Sequence, residues 1–242
     1  MIDVYAVTAE RVPMIADQVR PPAGVSTFPA ERMVDPEWMA DRVADTGRRW
    51  GSTDARVNGT LWWYSASSTL TGIPVATALV TEYAALPRLE DASAFLRPDG
   101  YFGGMHGDTF LPVDEGVSHL AGELTDTLAD LIRALAEASG VRDRALWAIV
   151  TDSVANRALD AGDARGDRAL GSAFAERLVG EMRNLGAPMP SPRFVDVQAG
   201  SRTKKFTQRA SCCLIYETRE RKCTSCPKRR PSERLADLQK LV

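Results

Sequence analysis

VSHLAGELTDTLADLIRALAEAS (Val117–Ser139) places leucine at 120, 124, 128, 131 and 135, with Glu123, Asp126, Asp130 and Arg133 between them. Residues three and four apart share a helix face, so this spacing predicts an amphipathic helix whose leucine stripe needs a partner. Gly140 is a natural stop. Partners follow at once. DRALWAIVTDSVANRAL (Asp143–Leu159) predicts a second helix with Leu146, Trp147, Val150 and Val154 on its buried face, and residues 167–182 predict a third. The proline-rich PMPSPR (188–193) ends this helical block.

The flanks are less regular. GYFGGMHGDTFLPV (100–113) predicts two short strands around a turn. The apolar run LWWYSASSTLTGIPVATALVTEYAAL (61–86) predicts a helix, a break at Gly72–Pro74 and a second helix, because an internal proline removes a donor and clashes with the preceding turn. Prolines 13, 21, 22, 29 and 36 divide the first 60 residues, leaving one short helix over 36–43 with Asp35 as its cap. Beyond residue 193, strands are expected at 194–197 and, bent or interrupted, at 204–216, with a closing amphipathic helix over 232–242. The fold class is therefore α+β: a mainly helical body (1–193) with a small antiparallel sheet, and a distinct C-terminal segment (194–242).

The 242 residues suffice for a sizeable core without disulfide staples, and a 44% apolar, 26% charged composition is that of an ordinary globular protein. The start, MIDVYAVTAERVPMI, lacks the basic and apolar regions of a secretory signal, and IPVATALV (73–80) falls far short of a membrane span. A cytoplasmic location is the expectation. Net charge is only −2, yet from Arg202 to Arg230 ten Lys or Arg face two acids, Glu217 and Glu220. The remainder is net acidic, which argues against nucleic acid as partner.

All four cysteines stand within fifteen residues: Cys212, Cys213, Cys223 and Cys226. In a reducing compartment such a cluster points to metal ligands or redox thiols. Four thiolates satisfy a tetrahedral zinc or a [2Fe–2S] cluster equally well in number. Only Cys223 and Cys226 form the two-residue knuckle usual for zinc. On an extended strand Cys212 and Cys213 point to opposite faces and converge only if the backbone bends between them. A two-iron cluster, being larger, accommodates such a pair better. The competing readings are a Cys223–Cys226 redox dithiol and cysteines serving as small buried hydrophobes.

RASCCLIYE (209–217) followed by KCTSCP (222–227) resembles the C-terminal signature of the FhuF-like ferric siderophore reductases: a basic residue, an aromatic-flanked Cys-Cys pair, then Cys-x-x-Cys-Pro. The matching positions are Arg209, Cys212, Cys213, Tyr216, Cys223, Cys226 and Pro227. Nine residues separate pair and knuckle here, where the family typically has ten; the difference falls in the charged loop ETRERK. ALWAIVTDSVANRAL (145–159) is similar to the Trp-containing helix such proteins carry upstream.

The resemblance implies a C-terminal lobe binding one [2Fe–2S] cluster through Cys212, Cys213, Cys223 and Cys226. It implies transfer of one electron to the Fe(III) of an imported siderophore, of hydroxamate type, so that iron leaves as Fe(II). The donor would be a ferredoxin-like protein or a diffusible reductant, since GYFGGMHG lacks the dinucleotide fingerprint and no P-loop is present. Peripheral membrane association beside a transporter is compatible with it. Arg202, Lys204, Lys205 and Arg209 are the candidate substrate-binding cations. His106 and His119, the two histidines, are read as loop or surface residues, and Trp62, Trp63 and Tyr64 as core. Tyr101 and Phe102 are open to either a core or a ligand-stacking role. A zinc-ribbon interaction module and an iron–sulfur redox or iron sensor are the alternatives.

Overall fold

The computed structural model describes residues 3–113 and 116–242. In chain order the elements are helices α1 (Val4–Arg11) and α2 (Ala16–Val19), strand β1 (Thr27–Pro29), helices α3 (Pro36–Trp50) and α4 (Ala55–Val80), and strands β2 (Tyr83–Ala85), β3 (Ala92–Leu96), β4 (Phe102–Gly107) and β5 (Phe110–Pro112). Helices α5 (Val117–Ser139), α6 (Asp143–Ala164) and α7 (Arg168–Asn184) follow, then strands β6 (Phe194–Ala199) and β7 (Arg202–Thr207) and helix α8 (Pro231–Gln239). The fold is α+β, and mainly helical, as the sequence predicts.

The leucine stripe of α5 does what its spacing requires. Leu124, Leu128, Leu131 and Leu135 are fully buried, each worth about 1.5–3 kcal/mol relative to an exposed position. Gly140 ends α5 in the left-handed region (φ 69), where a side chain would be strained. Helix α6 packs between α4 and α7. The approach to α7 is close enough that a Cβ on Gly171 would lie 2.2 Å from the Ala158 carbonyl oxygen.

Helix α4 departs from expectation. It runs unbroken from Ala55 to Val80 with Pro74 inside it. An interior proline costs about 3 kcal/mol, but nearly every residue from Val57 to Val80 is buried, and that packing outweighs the local penalty. Thr77 helps close the turn, its hydroxyl donating to the Ile73 carbonyl and accepting from the Ala85 amide. The helix stops at Val80, so residues 83–85 are strand rather than helix.

The sheet is three small antiparallel pieces: β1–β3–β4, β2–β5 and β6–β7. The two strands expected in 100–113 exist, but they pair with different partners rather than with each other. Helix α3 is longer than the sequence suggested, with Asp35 accepting from the Trp38 amide as its cap. Strand β7 ends at Thr207, so the cysteine pair lies beyond the strand, in irregular chain. The hairpin β6–β7 lies on α6, Val197 is buried, and Phe194 packs on the core of the body. Among the described residues no helix is long and apolar enough to cross a membrane.

Candidate metal centre

The C-terminal lobe is fixed to the body by one buried carboxylate. Asp152, 2% exposed, projects from the middle of α6. It accepts from the Ala210 amide (2.8 Å), the Ser211 amide (2.9 Å) and the Ser211 hydroxyl (2.5 Å). These are the two residues immediately before the cysteine pair. Arg209 lies against the same carboxylate, with Nε 3.6 Å from it, and stacks over the Tyr64 ring of α4 at 4.5 Å. A second tie joins Arg56, at the start of α4, to Glu217 at 2.7 Å.

The chain turns sharply just after the pair, at Leu214, the one non-glycine residue with positive φ (62) among those described. A left-handed leucine costs on the order of 1–2 kcal/mol. In this turn the Leu214 amide faces the Cys212 sulfur and the Ile215 amide that of Cys213. The knuckle is a tight turn closed by the Cys226 amide on the Cys223 carbonyl (3.1 Å). Arg229 holds its outer side, donating to the carbonyls of Cys223 and Lys222.

All four cysteines are free thiols. Cys213 faces Cys223 and Cys212 faces Cys226, while Cys213 also acts on Cys212 and Cys226 on Cys223, so the four form one group. Among the described residues no three His, Cys, Asp or Glu side chains gather tightly enough for one metal ion. Four thiols in one group is the ligand number a two-iron cluster needs. Cys213 and Cys226 are buried, while Cys212 and Cys223 are partly exposed.

Burial raises Cys212, whereas the electrostatics favour thiolate at Cys213. The Cys223 thiol facing it holds Cys213 well below the usual thiol range, against burial, with the Ile215 amide and Arg209 adding to the effect; Cys223 is correspondingly raised. The Arg209 guanidinium donates to the Cys223 sulfur at 3.3 Å. Its Nε and Nη2 are buried with no acceptor. Buried donors without partners are costly, and thiolate or sulfide beside them would supply what they lack. On ligand number, grouping and unmet donors, these residues fit an iron–sulfur cluster.

The site is thus a thiolate-rich centre at the edge of a helical α+β body. Residues 209–228 match the model of the FhuF 2Fe-2S C-terminal domain, a segment that contains all four cysteines and Arg209. Over that segment the resemblance drawn from the sequence is borne out, and its cofactor is a [2Fe–2S] cluster. No curated protein matches the chain.

Other singled-out residues lie elsewhere. Arg202 is exposed, Lys204 reaches the Leu241 carbonyl, and Lys205 pairs with Asp196 at 2.9 Å. Arg209 is buried, at 5% exposure, and its contacts make it a partner of the thiols. His106 is on β4, opposite Ser93, and its pKa is lowered by burial. His119 stands by Glu123 on α5. Trp62 and Trp63 are core, and Phe102 is buried with them. Tyr101 stacks under Arg49 at 4.3 Å. Two contributors were not singled out by sequence reasoning, Asp152 and Tyr64 in its role beneath Arg209. The signal for the first was present: an acid set between Val150 and Val154 on a helix face otherwise destined for burial.

Proposed function

We propose that the protein reduces the Fe(III) of an imported siderophore, of hydroxamate type, and so releases its iron as Fe(II) in the cytoplasm. The observation that carries this reading is the four-thiol centre in the FhuF-like segment, with Cys212 and Cys223 partly exposed at the surface. The bound cluster supplies a one-electron store. The four cysteines would hold it, with Cys213 and Cys226 buried, Cys212 and Cys223 partly open to solvent, and Arg209 supplying buried positive charge beside Cys223. The balance is one electron in from a separate donor, a ferredoxin-like protein or a diffusible reductant, and one electron out to Fe(III). No bond between protein and chelate is made or broken. Hard oxygen ligands hold Fe(III) tightly and Fe(II) weakly, so reduction alone loosens the iron.

The test is anaerobic purification followed by visible spectroscopy. Thiolate-to-iron bands between roughly 400 and 600 nm should bleach with dithionite. A ferric hydroxamate should then restore them, with Fe(II) captured by a colorimetric chelator in stoichiometric amount. Bands that stay bleached would favour an iron–sulfur sensor. A colourless protein with stoichiometric zinc would sink the reading altogether.

A further inference from the structure

The lobe has a concavity that cofactor binding does not use. A cavity of about 370 Å³ opens between the β6–β7 hairpin, the cysteine knuckle and α8. That is within the size range of small-molecule sites. One wall is Ser225, which stands between Cys223 and Cys226, so anything seated there lies against the knuckle itself.

The lining has a consistent chemistry. Thr207, 7% exposed, contributes a buried hydroxyl with no hydrogen-bond partner. Arg193 and Arg234 also line the cavity and have no carboxylate partner among the described residues. No Asp or Glu lines it. Val195 and Leu235 add apolar wall, at 36% and 45% exposure. Donors and cations without acids suit a ligand whose rim is acceptor oxygen. Exposed valine and leucine suit its methylene arms.

A second cavity, of about 320 Å³, touches Cys212. Most of its polar groups are already engaged: Arg56 is held by Glu217 and Asp54, Thr60 by the Arg56 carbonyl and Ser211 by Asp152, which leaves Arg142 as its one lining cation with no carboxylate partner among the described residues. The larger unmet hydrogen-bonding capacity lies at the knuckle cavity, with two such arginines and the buried Thr207 hydroxyl.

We propose that the knuckle cavity seats the ferric chelate, and that it takes neutral or anionic chelates, with oxygen rims on Arg193, Arg234 and Thr207, in preference to cationic ones. This rests on the reductase reading. The test uses gallium(III), which matches Fe(III) in ligand preference but is not reduced. Neutral tris-hydroxamate, anionic tris-catecholate and cationic hydroxamate complexes of Ga(III) are titrated calorimetrically into the cluster-bearing protein. The first two should bind, the cationic one more weakly. The double variant Arg193→Glu/Arg234→Glu should lose about tenfold or more in affinity for the first two, with the visible spectrum of the oxidised protein unchanged. Arg48→Glu/Arg133→Glu, equal in charge change but on the body, should bind as wild type.

Unchanged affinity in the knuckle-cavity variant would overturn the proposal. So would equal binding of the cationic complex, or a variant that loses only its reduction by an acidic ferredoxin, which would give this face to the donor. If no Ga(III) complex binds while ferric chelates still reoxidise the protein, the seat is wrong and the reductase reading survives. If the complexes bind here as described while ferric chelates leave the protein reduced, the seat stands and the reductase reading falls.

Discussion

The body and the lobe are held together by different physics. The body buries a continuous apolar core running from Tyr5 to Met189, with α4 and α5 at its centre. The apolar cluster of the lobe is Val57, Leu61 and Cys213, two of which belong to α4. What orders residues 208–230 is a buried carboxylate, a buried guanidinium, backbone turns and four clustered thiols. Apolar packing is non-directional and tolerates approximation. Charge and thiolate contacts are directional, and each one lost leaves a buried group unsatisfied. Stability in the body is spread over many residues; in the lobe it is concentrated in a few.

The sharpest way to break that contrast is to remove a ligand. Cys213→Ser should abolish the iron–sulfur absorption and hydrogen-exchange protection over 208–230, while protection in α5–α7 stays near wild type. Loss of protection throughout would show that the body depends on the lobe. Next comes Asp152→Asn. It strips the charge that faces Arg209 and two backbone amides, and breaking a buried pair of this kind typically costs about 3–5 kcal/mol. Cluster loss to a chelator should accelerate sharply, followed as decay of the visible bands.

Leu128→Ala tests the other side. A cavity in the body should cost about 2–5 kcal/mol in urea unfolding and leave the visible spectrum of the folded protein unaltered. Arg209→Gln is smaller and more specific. The reduced centre carries more negative charge, which Arg209 stabilises. A hydrogen bond to a charged group is worth about 1.5–3 kcal/mol, and at about 59 mV per tenfold change the midpoint potential should fall by about 60–130 mV. A potentiometric titration followed by electron paramagnetic resonance reads this directly. An unshifted potential would reduce Arg209 to a packing residue.

The smallest effect lies in the body. Arg88 forks onto Glu123 and, against partial burial, holds its carboxyl below the usual range. A depressed folded pKa gives stability that is present above the unfolded value of about 4.3 and lost as pH falls through the folded one. Glu123→Gln should therefore cost under about 1 kcal/mol at neutral pH. It should also flatten the acid limb of stability measured from pH 7 downward.

The sequence was legible where one force dominates. The leucines of α5 gave that helix to the residue, because burial alone sets its period. The four cysteines stood out because metal-binding chemistry restricts residue type and spacing, whereas Arg209, read with the substrate-binding cations, is buried against Cys223. What escaped notice depends on tertiary context. Pro74 looked like a break, since nothing local shows that the whole of α4 would be enclosed. The pairing of β4 with β3, and of β5 with β2, is decided across intervening chain. Asp152 stood in plain view in VTDSV, but its partners lie nearly sixty residues away. The basic tail read as a uniform field. In the folded protein its cations divide into a buried partner of the thiols, residues tied to neighbours, and cations open to solvent.

Asp152 has a consequence for how this motif can be moved. The twenty residues that carry the signature do not carry their own mould; the carboxylate that sets Ala210 and Ser211 is supplied by a helix in the body. A fragment excised at residue 194 would keep every ligand and lose the template that presents them. The smallest transplantable unit is the tail together with α6 and the first part of α4, which supplies Arg56, Val57, Leu61 and Tyr64, and grafting the tail onto a foreign scaffold would require an acid waiting at the same place.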